Sequence, residues 1–418
     1  MTGFTDRVTV AADALRALFA ETPLQENDYL SKKTGARIFL KREDLSPVRS
    51  YKIRGAFNFF RKSLAAGSTA TLFVCASAGN HAQGFAFVCR HFGRQGVVFM
   101  PVTTPQQKID KTKLFGGEFV EIRLVGDFFD DCYRAAIDFA ETTGGQMVPP
   151  FDHKDIVEGQ ATVAREILAQ MPDGGTPDIV VLPVGGGGLA AGVTRYLTDA
   201  GRAPRFVFCE PAGAPSLHET LHQGRRVRLA KVDNFVDGAA VAEIGREPLR
   251  HLRHFPTDTV RLIPENRLCA TMIEMLNVEG VVLEPAGALA IDALKEFSKR
   301  EIRGKTIVCV VSGGNFDFER LPDVKERALR FSGLKKYFVI RFPQRPGALR
   351  DFLELLGPDD DIARFEYLKK SARNFGSVLI GIETKDARNF DLLKAKFGVA
   401  GIQYQDITDN ETLAGFIV

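Results

Sequence analysis

The chain has 418 residues, 45% of them hydrophobic and 26% charged, with a formal net charge of +3 at pH 7. That length suggests two or three domains with ample cores, and so small and scattered a charge gives no ground for nucleic-acid or membrane binding. Cys75, Cys89, Cys132, Cys209, Cys269 and Cys309 stand apart in apolar runs without CxxC spacing, so reduced core thiols of a cytosolic protein are expected, with no disulfide frame or metal site.

Residues 1–18 mix charges into a helical pattern, which argues against a signal peptide, and no window approaches a membrane span. Apolar residues recur at helical spacing over 8–19, and Pro23-Leu24 turns the chain toward a short buried strand, Ile38-Phe39-Leu40. Pro47 breaks regularity before Ser50-Tyr51-Lys52-Ile53-Arg54-Gly55-Ala56, where a helical pattern begins. Strand-like runs at 70–75, 96–101 and 118–122 then alternate with helical patterns over 82–92, 105–115 and 127–142. The alternation continues through a helix at 156–171, the strand Ile179-Val180-Val181-Leu182-Pro183, a small-residue helix and the strand Arg205-Phe206-Val207-Phe208-Cys209. Residues 210–265 read as less regular, with a glycine-bearing Asp237-Gly238-Ala239-Ala240. Helical patterns over 265–279 and 285–300 lead to a last buried strand, Thr306-Ile307-Val308-Cys309-Val310-Val311. Such alternation predicts an α/β architecture whose parallel sheet is covered by helices on both faces.

After about residue 330 the pattern changes. Strands at 338–342, 363–367 and 378–383 and helices at 346–356 and 390–397 predict a small α+β, ferredoxin-like module. The boundary falls in the charged stretch 322–336, which divides the chain into 1–325 and 326–418.

Lys52 sits at a loop-to-helix junction between Tyr51 and Ile53. Apolar flanks desolvate its ammonium and lower the amine pKa, which is what a Schiff-base lysine needs. On its own, a solvated lysine is the blander reading. Gly185, Gly186, Gly187 and Gly188 follow a buried strand and precede a helix. Four glycines in a row expose backbone N–H groups and would be entropically costly as a mere connection, so a phosphate nest is expected. Neither a dinucleotide fingerprint nor a Gly-Lys-Ser/Thr P-loop is present. Ser77-Ala78-Gly79-Asn80-His81 marks a second strand-to-helix junction, suited to a carboxylate or to a capped helix start. Ser312-Gly313-Gly314-Asn315 ends a third strand. These strand ends are expected to converge on one sheet edge, where ligands bind in such folds. A lysine, a phosphate nest, an anion loop and a terminal serine together point to pyridoxal phosphate.

With Ala82-Gln83-Gly84, Leu189 and Glu284-Pro285-Ala286-Gly287-Ala288 added, these motifs closely resemble the fold type II pyridoxal-phosphate enzymes and, within them, the threonine dehydratases (threonine ammonia-lyases). The likeness runs over residues 5–320. The tail, Arg341-Phe342-Pro343-Gln344-Arg345-Pro346-Gly347-Ala348-Leu349 and Arg364-Phe365-Glu366-Tyr367-Leu368-Lys369-Lys370, resembles the ACT-like regulatory domain of biosynthetic members and has room for one such module. The resemblance implies that Lys52 carries the cofactor as its Schiff-base lysine and removes the substrate α-proton. Asn80 would hold the cofactor's 3′-hydroxyl, the amides of Gly185, Gly186, Gly187, Gly188 and Leu189 its phosphate, and Ser312 would face its pyridine nitrogen. The substrate carboxylate would lie on Ser77, Ala78, Gly79, Asn80 and His81, while Glu284 lies near the ring without an assigned role.

The same resemblance implies β-elimination of water from L-threonine, and from L-serine, with 2-oxobutanoate and ammonia as the threonine products. It further implies feedback inhibition by L-isoleucine at the tail, a homotetramer, and a cytoplasmic place in isoleucine synthesis. Two departures stand out. Ala78 occupies the position where serine racemases carry a second proton donor, and Ser216 stands six positions after Glu210, where divalent-cation-binding relatives carry an acidic residue. A divalent site is therefore not expected, and a monovalent cation stays open. The alternatives are a catabolic serine/threonine dehydratase, disfavoured by the tail, and a non-catalytic amino-acid sensor, disfavoured by Lys52, Asn80 and the glycine run.

Overall fold

Uninterrupted runs of β-branched and aromatic residues become the buried strands of this protein, whose computed structural model describes residues 3–68, 70–368 and 375–410. Lys369 and Lys370 of the tail motif lie outside the described residues. The chain divides into two compact units, Met1–Asp317 and Phe318–Val418. Helix Leu321–Phe331, within which the sequence placed the 325/326 boundary, belongs whole to the second unit.

The strands of the first unit are, in chain order, β1 (Leu24–Glu26), β2 (Arg37–Arg42), β3 (Leu72–Ala76), β4 (Gln95–Met100), β5 (Val120–Leu124), β6 (Gln146–Met147), β7 (Ile179–Pro183), β8 (Arg205–Pro211), β9 (Val260–Ile263) and β10 (Thr306–Val311). They form two sheets. A six-stranded one runs β1-β2-β10-β7-β8-β9, parallel except for β1, and a four-stranded parallel one runs β5-β4-β3-β6. The expectation of one shared sheet edge is thereby corrected. The loops after β2, β7 and β10 belong to the large sheet, whereas loop 77–81 follows β3 of the small one. The reason is topological: β3 to β6 pair among themselves before the chain returns to the large sheet.

Close helix packing explains why glycines interrupt good helical sequence. A Cβ on Gly159 would stand 2.5 Å from the Arg54 carbonyl oxygen, and one on Gly55 would stand 2.4 Å from the Gln160 side chain. Helix Lys52–Ala65 thus lies backbone against backbone on Lys154–Gln160. The single helix expected over 156–171 is two, Lys154–Gln160 and Thr162–Gln170, meeting at Ala161. The helix expected over 285–300 is α-helical to Asp292, tightens to a 3-10 turn over Ala293–Glu296 and starts afresh as Lys299–Ile302. Ser298 accepts from the Glu301 N–H and so caps a new helix instead of continuing the old one.

The second unit pairs β11 (Lys335–Pro343), β12 (Asp361–Leu368), β13 (Phe375–Glu383) and β14 (Tyr404–Asp406) in the antiparallel order β12-β13-β11-β14. With helices Ala348–Leu353 and Asn389–Val399 this is a ferredoxin-like β-α-β-β-α-β arrangement. One sheet face meets Phe352, Phe390, Leu393 and Phe397 in a core of its own.

Candidate active site

β2 and β10 run in register from Arg37 opposite Thr306 to Arg42 opposite Val311, so the chain leaves both strands side by side. A bridge between Ser50 and Gly313, and a hydrogen bond from Tyr51 N–H to Ser312 C=O (3.1 Å), hold the two exits together. Lys52 follows as the first residue of helix Lys52–Ala65. Two residues on, Arg54 is fully buried and donates to Glu43, Glu166, Thr22 and Thr162, while the buried Lys41 donates to Glu166 at 2.6 Å. The anchored helix start aims the Lys52 amine inward, where it donates to the Pro150 carbonyl at 3.0 Å. Burial pushes this amine down to about 8, with the Glu284 charge pulling the other way.

Helix Asn80–Phe92 begins at Asn80, so loop 77–81 presents small residues and a helix N-terminus on the small sheet. Ser77 Oγ accepts the Gly79 N–H at 3.2 Å. His81 is buried, its Nε2 2.9 Å from the Val148 carbonyl. Burial, then the nearby Lys52 charge, brings the imidazole down to about 3, so it is neutral and donates from Nε2. Asn80 Nδ2 donates to Glu284 Oε1 at 2.7 Å, and Asn80 Oδ1 accepts from Asn315 Nδ2 at 2.8 Å.

Three glycines of the run have distinct reasons to be glycine. A Cβ on Gly185 would meet the Ala239 backbone at 3.0 Å, and one on Gly186 the Phe151 ring at 2.3 Å. Gly187 has φ +87, which side-chain-bearing residues avoid. Helix Gly188–Asp199 then starts with no side-chain cap, so its first N–H groups have no partner within the helix. Ser312 Oγ donates to the Ala286 carbonyl at 3.1 Å, which commits its proton and leaves the oxygen free to accept. Glu284 stands just before helix Pro285–Asp292 without a side-chain capping bond, and its carboxyl is pushed up to about 7, first by burial and then by the charge of Asp237.

An aromatic aldehyde bearing a phosphate fits this donor set. The nest of N–H groups is uncapped, the amine is desolvated, and the buried Ser50 Oγ and Asn315 Oδ1 find no hydrogen-bond partner among the described residues. Elsewhere, Glu210 accepts from Leu217 N–H (2.7 Å), His218 N–H (2.9 Å) and Ser216 Oγ (3.3 Å). Its oxygens are occupied as a helix cap. No cluster of three or more His, Cys, Asp or Glu side chains is placed to hold a metal ion among the described residues.

The sequence did not reveal the Pro150 carbonyl, Phe151, or the tie of Asn315 to Asn80. Proline and phenylalanine carry no chemical signal, and Asn315 stood in a motif valued for its serine. Gly238 was visible only as an irregular-loop glycine. Its Cβ would lie 3.6 Å from Glu284 Oε1 and 3.8 Å from Asn80 Nδ2.

Residues 15–313 match the family described as pyridoxal-phosphate dependent enzyme, and the chain belongs to that family. Residues 326–417 match the C-terminal regulatory domain of threonine dehydratase. The biosynthetic L-threonine dehydratase of Halalkalibacterium halodurans is 44% identical over 412 residues, 98% of each chain. That of Bacillus subtilis is 46% identical over 398 residues, 95% of this chain and 93% of its own. The processed form of threonine deaminase isoform 2 from Solanum lycopersicum has a TM-score of 0.71 at 35% identity, covering 78% of this chain and 88% of that one. Within the pyridoxal-phosphate enzymes, then, this chain is a member of the threonine dehydratase family, and pyridoxal phosphate is its cofactor. Maize serine racemase, with a TM-score of 0.70 at 24% identity, shares the fold.

Proposed function

We propose that the chain eliminates water from L-threonine to give 2-oxobutanoate and ammonia, the first step of isoleucine formation, and that it accepts L-serine as well. What carries this reading is the buried Lys52 amine, brought down to about 8 beside an uncapped N–H nest, in a chain alike over nearly its whole length to biosynthetic threonine dehydratases. Bound pyridoxal phosphate supplies the electron sink for the substrate carbanion. Lys52 holds the cofactor, then takes the α-proton as a free amine, for which a value near neutrality is suited. Gly185, Gly186, Gly187, Gly188 and Leu189 bind the phosphate, Asn80 the 3′-oxygen, and Ser312 meets the ring nitrogen as a neutral partner. Ser77, Ala78, Gly79, Asn80 and His81 receive the substrate carboxylate. Ala78 supplies no proton donor on the opposite face, which favours elimination over racemisation.

The second unit is proposed to bind L-isoleucine as a feedback inhibitor. Support comes from an open concavity of about 750 Å³ whose lining includes Val339, Arg341, Phe375, Ser377 and Gln405. The apolar groups suit a branched side chain and the guanidinium a carboxylate. A homotetramer in the cytoplasm completes the proposal. The buried free cysteines accord with a reducing compartment, and no described helix is long and apolar enough to cross a membrane. The test is 2-oxo acid release from L-threonine by wild type and Lys52→Ala, with and without L-isoleucine. Release lost in the variant and suppressed by isoleucine is expected. No release from threonine or serine by cofactor-loaded wild type would overturn the reading.

A further inference from the structure

We propose that Asn315 and Glu284 are positioning residues for the cofactor, locking the Asn80 amide in the one orientation that presents an N–H to the cofactor's phenolic oxygen. The inference rests on the reading that Asn80 meets that oxygen. An asparagine side chain has two orientations of nearly the same shape, one offering an N–H and the other a carbonyl oxygen, so its neighbours must decide which is used.

Here the decision starts from a group that cannot be reversed. The Val48 carbonyl only accepts, and Asn315 Nδ2 donates to it at 2.8 Å. Asn315 therefore faces Asn80 with its remaining N–H, 2.8 Å from Asn80 Oδ1. With its oxygen thus engaged, Asn80 must turn Nδ2 the other way, where one N–H goes to Glu284 Oε1 at 2.7 Å. Its second N–H is left for the ligand. A flipped Asn80 would set its amino group against that of Asn315 and, where Glu284 is ionised, its oxygen against the carboxylate.

The seat of the carboxylate is built for this use. A Cβ on Gly313 would stand 2.2 Å from Glu284 Oε1, so only glycine there leaves the oxygen its place. Glu284 is 5% exposed. Asn315 Oδ1 has no hydrogen-bond partner among the described residues, so both bonds that orient Asn315 run through its nitrogen.

The test compares wild type, Asn80→Ala, Asn315→Asp, Glu284→Gln and the double variants Asn80→Ala/Asn315→Asp and Asn80→Ala/Glu284→Gln. Pyridoxal phosphate is titrated into each cofactor-free protein, and the visible band of the lysine-bound cofactor is followed against pH. Asn315→Asp puts an acceptor where a donor is needed, and Glu284→Gln replaces the charged acceptor of the Asn80 N–H by a neutral amide that can present either end, so the charge-assisted hold on Asn80 is lost. Each is expected to weaken cofactor binding at least about tenfold, the size of one lost hydrogen bond to a charged group, and to move the midpoint of the band. In the Asn80→Ala background neither substitution should cost anything further. Equal cost in both backgrounds would show a merely structural role and overturn the inference, as would wild-type binding and band in both single variants. Should Asn315→Asp fail to fold, the Glu284→Gln cycle decides by the same criterion. If Asn80→Ala itself changes neither binding nor band, it is the assignment of Asn80 that falls.

Discussion

A single lysine between two apolar residues was legible in the sequence, because desolvation needs only neighbours in the chain and a helix start. Its consequence can be measured without catalysis. In the folded protein the Lys52 amine titrates near 8, against an ordinary 10.5. Between those values the unfolded chain binds a proton that the folded one does not, so folding stability contributed by this group rises with pH over that window. Below about 8 both states carry the proton, and the buried charge is a standing cost. Cofactor-free wild type should therefore gain melting temperature relative to Lys52→Met between pH 8 and pH 10. Parallel curves for the two proteins would contradict the burial argument. What the sequence could not show at this scale is what the amine leans on. The Pro150 carbonyl lies 98 residues away, and a backbone acceptor leaves no mark in residue types.

Among elements, the strands with continuous apolar runs, β2, β3, β4, β7, β8 and β10, were readable because both their faces are covered. β1, β9 and β14 were not, being edge strands of three or four residues that exist through their partners. The glycine run was readable as a strand-to-helix turn, but the reason that Gly185 and Gly186 are glycine lay in other elements. Gly186 illustrates it, since the Phe151 ring stands where its Cβ would go, with three ring atoms at 2.3 to 2.4 Å. Gly186→Ala must displace either the ring or the loop. Cofactor affinity, read by titration into cofactor-free protein, should fall in Gly186→Ala and recover in part when Phe151→Leu is added. Further loss in the double variant would mean that the ring is not what forbids the side chain.

At the scale of the whole molecule the chain was legible as two modules because the period of its apolar pattern changes near residue 330. The charged stretch over 322–336 puts the cut at 325/326, where the regulatory-domain match begins, while the compact units divide at 317/318, so that helix Leu321–Phe331 goes whole with the second. Glu326 and Lys335 are both buried, joined at 2.6 Å, and Lys335 also meets Glu383 at 2.9 Å, so these charges are internal to the second unit. Val324, 1% exposed, is buried on the same helix, and Arg330 donates to the Thr408 carbonyl. A fragment of residues 318–418 keeps this helix entire, along with the core of Phe338, Ile340, Phe352, Ile380 and Phe397. A fragment of residues 326–418 begins inside the helix, fraying the turn that carries Glu326. A buried lysine left with one partner fewer is destabilised. The shorter fragment is thus expected to unfold at clearly lower urea than the longer one, followed by circular dichroism. Equal midpoints would show that the helix before residue 326 contributes nothing to the second unit.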